Sequence, residues 1–304
     1  MQAVELQNLS KIYPGGKQAV KQITLSLNQG EVFGFLGPNG AGKTTTVKLL
    51  NGMLIPSEGN CRVFNIDPVY EPEKVHAISG VVTEHAQMYD NLTGLENLIF
   101  YASIFGISSS ESEKDANSLL KQLNLEEAKN RKLSSYSTGM RQRLSLARAL
   151  IHHPRVLFLD EPTSGLDPES AQNVNRMIQL LAKNEGITVF LCTHQLRYAQ
   201  EICTRYGLIE EGKLLVSGTL EELRAKILAR ITLCIRATKV PDMLSFKKIG
   251  DQQYEIDICS ENEIPGIVRQ IIESNGDIYA VSAKKPTLED IYFALTSNAK
   301  EDLK

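Results

Sequence analysis

Apolar residues recur along this chain at two spacings. In "AVELQNL" (3–9) and "QITLSLN" (22–28) they alternate with polar residues, which predicts half-buried strands, and "EVFGFL" (31–36) is a third strand that runs straight into a glycine-rich turn. A helix follows from about Thr44 to Met53, closed by Pro56. Residues 59–64 and 78–82 read as further strands. From 93 to 152 the spacing is helical, broken by a polar, serine-rich loop over 106–115. Then come the strand "RVLFLD" (155–160), a helix over 169–183 with Val174, Met177, Ile178 and Leu181 on one face, and the strand "TVFLC" (188–192). Residues 206–218 form a hairpin that turns at Glu211-Gly212. Continuous apolar strands alternating with helices predict a parallel sheet covered on both faces. The helical block at 93–152 interrupts that alternation and is expected to form its own lobe.

Beyond about residue 220 the character changes. "TLEELRAKILAR" (219–230) reads as a helical connector, and strands are expected at 231–237, 244–249, 253–259 and 277–283. Helices are expected at 261–274 and 287–296, giving a small α+β unit without a glycine-rich loop or clustered His, Cys or carboxylates. Neither half contains an internal repeat.

Composition narrows the class only a little. The 304 residues suggest about two domains, and a chain 42% hydrophobic and 23% charged can bury a sizeable core. A net charge of −3 gives no basic field for nucleic acid or an anionic membrane surface. The longest apolar stretch, "LIFYASIFGI" (98–107), is about half the ~20 residues a spanning helix needs. "MQAVELQNLSKIY" contains no signal-peptide core. Cysteines at 61, 192, 203, 234 and 259 form no Cys-x-x-Cys pair, an arrangement expected of reduced thiols in the cytosol and not of a zinc site.

The chemistry is concentrated in a few short segments. "GPNGAGKTT" (Gly37, Pro38, Asn39, Gly40, Ala41, Gly42, Lys43, Thr44, Thr45) follows a strand and opens a helix, the setting of a phosphate-binding P-loop. Its glycines let backbone N–H groups face phosphates, Lys43 reaches the β- and γ-phosphates of a nucleotide, and the Thr44 hydroxyl ligates Mg²⁺. "VLFLDEP" (156–162) brings Asp160 to a sheet edge, where it can hold the hydration shell of that metal. Glu161, one residue on, is placed to orient and deprotonate an attacking water. His194 ends the strand "TVFLCTH"; a lone histidine there is usually structural, but ligands bind at this edge of an open α/β sheet. His152 and His153, in a connector before Pro154, read as exposed. Tyr13 either stacks on adenine or is a half-buried loop tyrosine. A second anion site is suggested by "YSTGM" (136–140), where Ser137 caps a helix that carries Met140, Leu144, Ala147 and Ile151 on one face.

Together these segments resemble the ATP-binding subunits of ATP-binding-cassette (ABC) transporters over about residues 1–218. In that resemblance 37–45 is the Walker A loop, and "VLFLDEPTSGLDP" is the Walker B strand running into the D-loop with Ser164, Gly165 and Asp167. His194 is the switch histidine, and Ser137, Thr138, Gly139 and Met140 lie in the signature motif. "PTLEDIYFALT" (286–296) is similar to the carboxyl-terminal end of ABC-2-type exporter ATPases. The family implies a head-to-tail dimer in which each signature turn closes on the partner's γ-phosphate, explaining why one chain carries two anion sites. Two departures stand out. Tyr136, Thr138 and Met140 replace the usual Leu, Gly and Gln of the signature. Glu84 occupies the position of the Q-loop glutamine, a third metal-directed oxygen, with Gln87 as the alternative.

The implied fold is an α/β P-loop NTPase core of ABC-ATPase type with an amino-terminal antiparallel β-subdomain, a helical lobe (93–152) and a small carboxyl-terminal α+β domain (219–304). The implied function is an ATP- and Mg²⁺-dependent motor at the cytoplasmic face of the membrane. In this resemblance it would drive a separate multi-spanning permease for export, together with a second ABC subunit (self or paralogue). Residues 84–135, with Met88, Tyr89 and "LIFYASIFGI", would form the permease-docking face. The alternatives are a stand-alone regulator or a nucleic-acid- or ribosome-associated ABC ATPase. The 94-residue interval between Lys43 and Ser137 carries no sustained heptads and the chain has one P-loop, which disfavour the latter.

Overall fold

The computed structural model describes residues 1–83, 88–227, 230–241 and 244–301, with side chains to residue 297. It divides into two compact units, Met1–Thr219 and Leu220–Lys304.

In the first unit, β1 (Gln2–Ile12) pairs antiparallel with β2 (Gln18–Asn28) on one side and β4 (Glu58–Val63) on the other. Both hairpin strands run beyond the alternating stretches of sequence. Asn8 and Gln22 adopt positive φ, and the β1–β2 register shifts between Leu6 and Leu9, so pairing continues after the apolar period has slipped. The main sheet has the order β5-β6-β7-β3-β8-β9. β3 (Val32–Leu36), β5 (Ser79–Val82), β6 (Val156–Asp160), β7 (Thr188–Thr193) and β8 (Arg205–Glu210) are parallel, and β9 (Lys213–Gly218) returns antiparallel. Glu211 (φ 47) and Gly212 (φ 81) are both left-handed, the backbone a tight two-residue hairpin requires.

Every residue of β3, β6 and β7 is buried, as expected of central strands covered on both faces. Phe190 stands 5.3–6.0 Å from the rings of Phe33, Phe35 and Phe158. These four phenylalanines join Leu6, Leu9 and Ile23 of the small sheet in one continuous core. α1 (Lys43–Leu50) adds Val47, Leu49 and Leu50 to it. Two seven-residue helices had no clear signal in the sequence: α2 (Pro72–Ile78) and α7 (Leu196–Ile202). α6 (Pro168–Glu185) is started by Asp167, whose side chain accepts from Ser170 N, and stopped by Gly186 at φ 67.

The lobe contains α3 (Gly94–Ile104), α4 (Ser109–Gln122) and α5 (Thr138–Leu150). The expected loop over 106–115 is corrected here, because its second half is the start of α4. Ser108 caps that helix by accepting from Glu111 N, so the serine run marks an N-terminus and not a long loop.

The second unit is a four-stranded antiparallel sheet in the order β11-β12-β10-β13. Its strands are β10 (Ile231–Ala237), β11 (Lys247–Gly250), β12 (Gln253–Ile258) and β13 (Ile278–Lys284). Ile267 and Ile271 of α9 (Ile264–Glu273) pack on Leu233, Ile235 and Ile258. α8 (Leu220–Lys226) and α10 (Leu288–Glu301) complete it, with Arg224 Nε donating to Pro286 O at 2.7 Å. No helix among the described residues is long and apolar enough to cross a membrane.

Candidate nucleotide site

Strand register brings the candidate residues together. β7 lies between β6 and β3, with Asp160 paired to Cys192 and Leu36 to Thr193, so three parallel strands end nearly level on one sheet edge. The segments beyond those ends carry the P-loop, Glu161 and His194. A cavity of about 210 Å³ opens there, lined by Tyr13, Lys17 and Ala19 together with Asn39, Gly40, Gly42, Lys43, Thr44, Thr45, Asp160 and Glu161.

Gly42 precedes α1 at φ 109, and a Cβ there would collide with the Ala19 carbonyl. Both the backbone angle and the close approach require glycine at the point where the loop becomes a helix. Lys43 is only 6% exposed; its ammonium donates to Gly37 O (2.7 Å) and Pro38 O (3.2 Å) and lies 3.5 Å from Glu161 Oε1. Thr44 Oγ1 donates to Asp160 Oδ2 at 2.6 Å, although 116 positions separate the two residues. Gly37, Pro38 and Ala41 complete the loop but do not line the cavity, and Ala41 N donates to Pro38 O across the turn.

Glu161 is 7% exposed and adopts φ 50, an uncommon angle for a residue with a side chain. Its amide donates to Cys192 O, which fixes the turn after β6. One carboxylate oxygen accepts from Thr193 Oγ1 (2.8 Å); the other accepts from His194 N (3.0 Å) and lies 2.9 Å from His194 Nδ1. His194 itself is 46% exposed. Thr193 is the partner that reading the sequence missed; its only signal is its place at the end of β7, one position before the histidine. Beneath this edge Cys192 is fully enclosed, and burial, reinforced by the Asp160 carboxylate, drives its thiol well above the usual range.

Tyr13 is half-buried, with its hydroxyl 3.3 Å from Thr45 Oγ1 and the Lys11 ammonium 5.9 Å from its ring centre. Ser137, Thr138, Gly139 and Met140 lie at the start of α5, away from the cavity lining. Ser137 Oγ accepts from Met140 N at 3.3 Å, and Ser137 and Thr138 are exposed. Ser164, Gly165 and Asp167 fall in the turn between Glu161 and α6, also outside the cavity. The Asp167 carboxyl is held below its ordinary range by the hydrogen bond from Ser170 N. Glu84 and Gln87 lie outside the described residues.

Tyr136, the aromatic departure in the signature, is buried and donates its hydroxyl to Ala128 O at 2.8 Å. Burial raises its pKa. A Cβ at Gly94 would collide with that hydroxyl, so the glycine makes room for the ring. Gly94→Ala is therefore expected to destabilise the protein by about 1–3 kcal/mol, and adding Tyr136→Leu should return part of the loss. Equal destabilisation by Gly94→Ala in both backgrounds, measured by denaturant unfolding, would refute the pairing.

One reading of the connector before Pro154 is corrected. His152 is not simply exposed: Nε2 lies 3.0 Å from Ser79 O, and the ring stacks on Phe105 at 3.9 Å. Burial lowers its pKa. His153 is exposed and pairs with Asp115 at 2.9 Å.

A buried strand that runs into this loop, with the Thr44–Asp160 and Glu161–His194 pairs on one sheet edge, belongs to a P-loop ATPase. The family profile for ABC transporters matches residues 20–164. The chain is 30% identical to the bacitracin transport ATP-binding protein of Bacillus licheniformis, over 96% of each chain. Identity is again 30% to the daunorubicin/doxorubicin resistance ATP-binding protein of Streptomyces peucetius, covering 99% of this chain and 94% of that protein. ABC transporter A family member 12 of Arabidopsis thaliana is 32% identical over 98% of this chain, which spans only 35% of that longer protein. The solved structure of cbiO1 from Clostridium perfringens, part of the ABC transporter complex cbiONQ, superposes with a TM-score of 0.68 at 28% identity, covering 74% of this chain and 91% of that one. A dimeric ATP-binding cassette in a post-hydrolysis state, bound to ADP and Pi, gives a TM-score of 0.66 at 28% identity over 71% of this chain and 98% of that one. The chain belongs to the ABC transporter family as an ATP-binding, ATP-hydrolysing subunit.

Proposed function

We propose that the cavity at the sheet edge holds Mg-ATP, and that two such sites form when two cassettes dock head to tail. In this reading residues 1–218 are the nucleotide-binding domain and 219–304 an accessory domain, since every lining residue lies in the first segment. Tyr13 stacks on adenine, the 37–45 loop wraps the phosphates, and Lys43 meets the β- and γ-oxygens. The donor set fits Mg²⁺: Thr44 and Asp160 offer two hard oxygens side by side, with the nucleotide and water to complete a shell. Bound there, the ion would neutralise phosphate charge. Glu161 takes the proton of the attacking water, and Thr193 and the His194 amide hold its carboxylate in place. Ser137 and Gly139 close over the γ-phosphate of the partner's nucleotide. The observation that carries this reading is the pairing of Thr44–Asp160 and Glu161–His194 on one cavity, while the signature turn of the same chain stands outside it.

The motor would drive a separate membrane permease from the cytoplasmic side. Export is favoured by relatives named for antibiotic resistance and bacitracin transport. For docking, the apolar residues of α3 and the one that follows it divide: Leu98 and Ala102 are buried, whereas Ile104 is 62% exposed and Phe105, just after the helix, 40%. Those two line a largely apolar cavity of about 600 Å³ with Tyr101, Arg148 and His152. Ile104→Glu is expected to weaken permease retention at least about tenfold, because a carboxylate would be desolvated without a partner. ATP affinity of the isolated subunit should not change. Co-purification from detergent extracts measures this, and full retention of a multi-spanning partner by Ile104→Glu would remove this face from the docking surface. Absence of any such partner for the wild-type chain would overturn the transporter reading.

A further inference from the structure

We infer that Lys17 is a second nucleotide-positioning cation, directed at the α- and β-phosphates; this rests on reading the cavity as the ATP site. Tyr13 and Lys17 are the two ends of one tight turn, with Tyr13 N donating to Lys17 O (2.9 Å) and Gly16 N to Tyr13 O (3.0 Å). Gly15 and Gly16 take positive φ to close it. The turn therefore brings a tyrosine and a lysine to the cavity together, and both residues line it. Two positions on, the Ala19 carbonyl lies against Gly42, so this segment is seated directly on the P-loop.

Charge explains what the ammonium does. The cavity is lined by two carboxylates, Asp160 and Glu161, and two cations, Lys43 and Lys17. Lys43 already faces Glu161 at 3.5 Å and is further held by two carbonyls. The Lys17 ammonium, by contrast, has no hydrogen-bond or ion-pair partner among the described residues. Without it the ionised lining would be net negative where an anion must enter. Lys43 lies against Glu161, and Asp160 against Thr44, where the proposed reading puts the γ-phosphate chemistry, whereas Lys17 shares its turn with Tyr13, which that reading stacks on the base. It therefore meets the phosphates nearest the ribose.

The test is calorimetric binding of AMPPNP, ADP and adenosine to Lys17→Ala, Lys17→Arg and Lys43→Ala, each with Mg²⁺ and at two salt concentrations. In Lys17→Ala, AMPPNP and ADP should weaken by a similar factor, about three- to tenfold for a partly screened charge contact. Adenosine binding should stay unchanged, the salt dependence should flatten, and Lys17→Arg should restore affinity. Unchanged AMPPNP and ADP binding in Lys17→Ala, with a loss in Lys43→Ala, would overturn the role of Lys17 alone. A loss extending to adenosine would assign the effect to the turn that holds Tyr13, and a loss confined to AMPPNP would move Lys17 to the γ-phosphate; either overturns the inference. Full affinity in Lys43→Ala would refute the site reading on which it rests.

Discussion

Glu161→Gln is expected to lower steady-state ATP hydrolysis by about 10²–10⁴-fold, the usual effect of removing a positioned general base. Its ATP affinity should change little. The amide is nearly isosteric, and its oxygen can still accept from His194 N, as the carboxylate does now at 3.0 Å. The opposite side of the group must adapt. Thr193 Oγ1 donates to the carboxylate at 2.8 Å and accepts from Gln195 N at 3.1 Å; facing an NH₂ it would turn its lone pairs to both neighbours. The pocket is thus able to hold glutamine without unfolding, which thermal melting would check. Lys43 supplies the competing explanation. It lies 3.5 Å from Glu161, and if the carboxylate served chiefly as its buried counter-ion, the variant would fail in ATP binding or stability and not in turnover. Comparing single-turnover rates with equilibrium ATP binding separates the two, and unimpaired hydrolysis in Glu161→Gln would remove the residue from catalysis.

The parts of this molecule legible in its sequence are those where one local pattern dominates. "EVFGFL" before "GPNGAGKTT", and "VLFLDE" before a proline, announce buried strands ending in polar chemistry, because a short unbroken run of Val, Leu, Phe and Gly leads straight into polar or turn residues that allow few alternatives. Gly212 marks its hairpin in a similar way, since few residues other than glycine, asparagine or aspartate are common in such turns and it sits between two apolar runs, although Glu211 takes the other left-handed position (φ 47). Local rules failed where a distant partner decides. Ser108 begins a helix because α4 packs in the lobe, whereas a serine run by itself equally suggests a loop. The seven-residue helices α2 and α7 are too short to show a face. His152 looked exposed because nothing nearby in sequence predicts that Phe105 will stack on it. The match of Tyr136 to Gly94, and of Thr193 to Glu161, exists only after folding. Lys17 is the same case in functional form: an ordinary lysine in a turn until β2 brings it to the P-loop.

The second large effect concerns two defective chains that restore one another. In the head-to-tail dimer proposed above, Lys43→Ala would remove the charge that meets the phosphates, and Gly139→Asp would place an anion in the turn that closes on the partner's phosphate. Either homodimer would have two damaged composite sites and should be nearly inactive. In a mixed dimer, the intact P-loop of the Gly139→Asp chain faces the intact signature of the Lys43→Ala chain. With free subunit exchange, mixing should recover about a quarter of wild-type ATPase if sites act independently, and less if both must hold ATP. The geometry adds a control. A Cβ on Gly139 would stand 3.1 Å from Ser170 Oγ of the same chain, tighter than ordinary contact, so the aspartate variant mixes a local clash with phosphate repulsion. Gly139→Ala combined with Ser170→Ala keeps the added carbon and removes the crowding hydroxyl, while the Ser170 amide still donates to Asp167. That double variant should retain most activity if charge is what disables the aspartate. The mixing experiment needs the permease or high protein concentration, so that cassettes meet, and labelled subunits to prove exchange. Strong activity of Gly139→Asp alone would mean that this turn faces no phosphate. Absence of recovery despite proven exchange, with the alanine pair active, would oppose independent sites shared between chains: either one chain closes its own site, or a single damaged site silences the other.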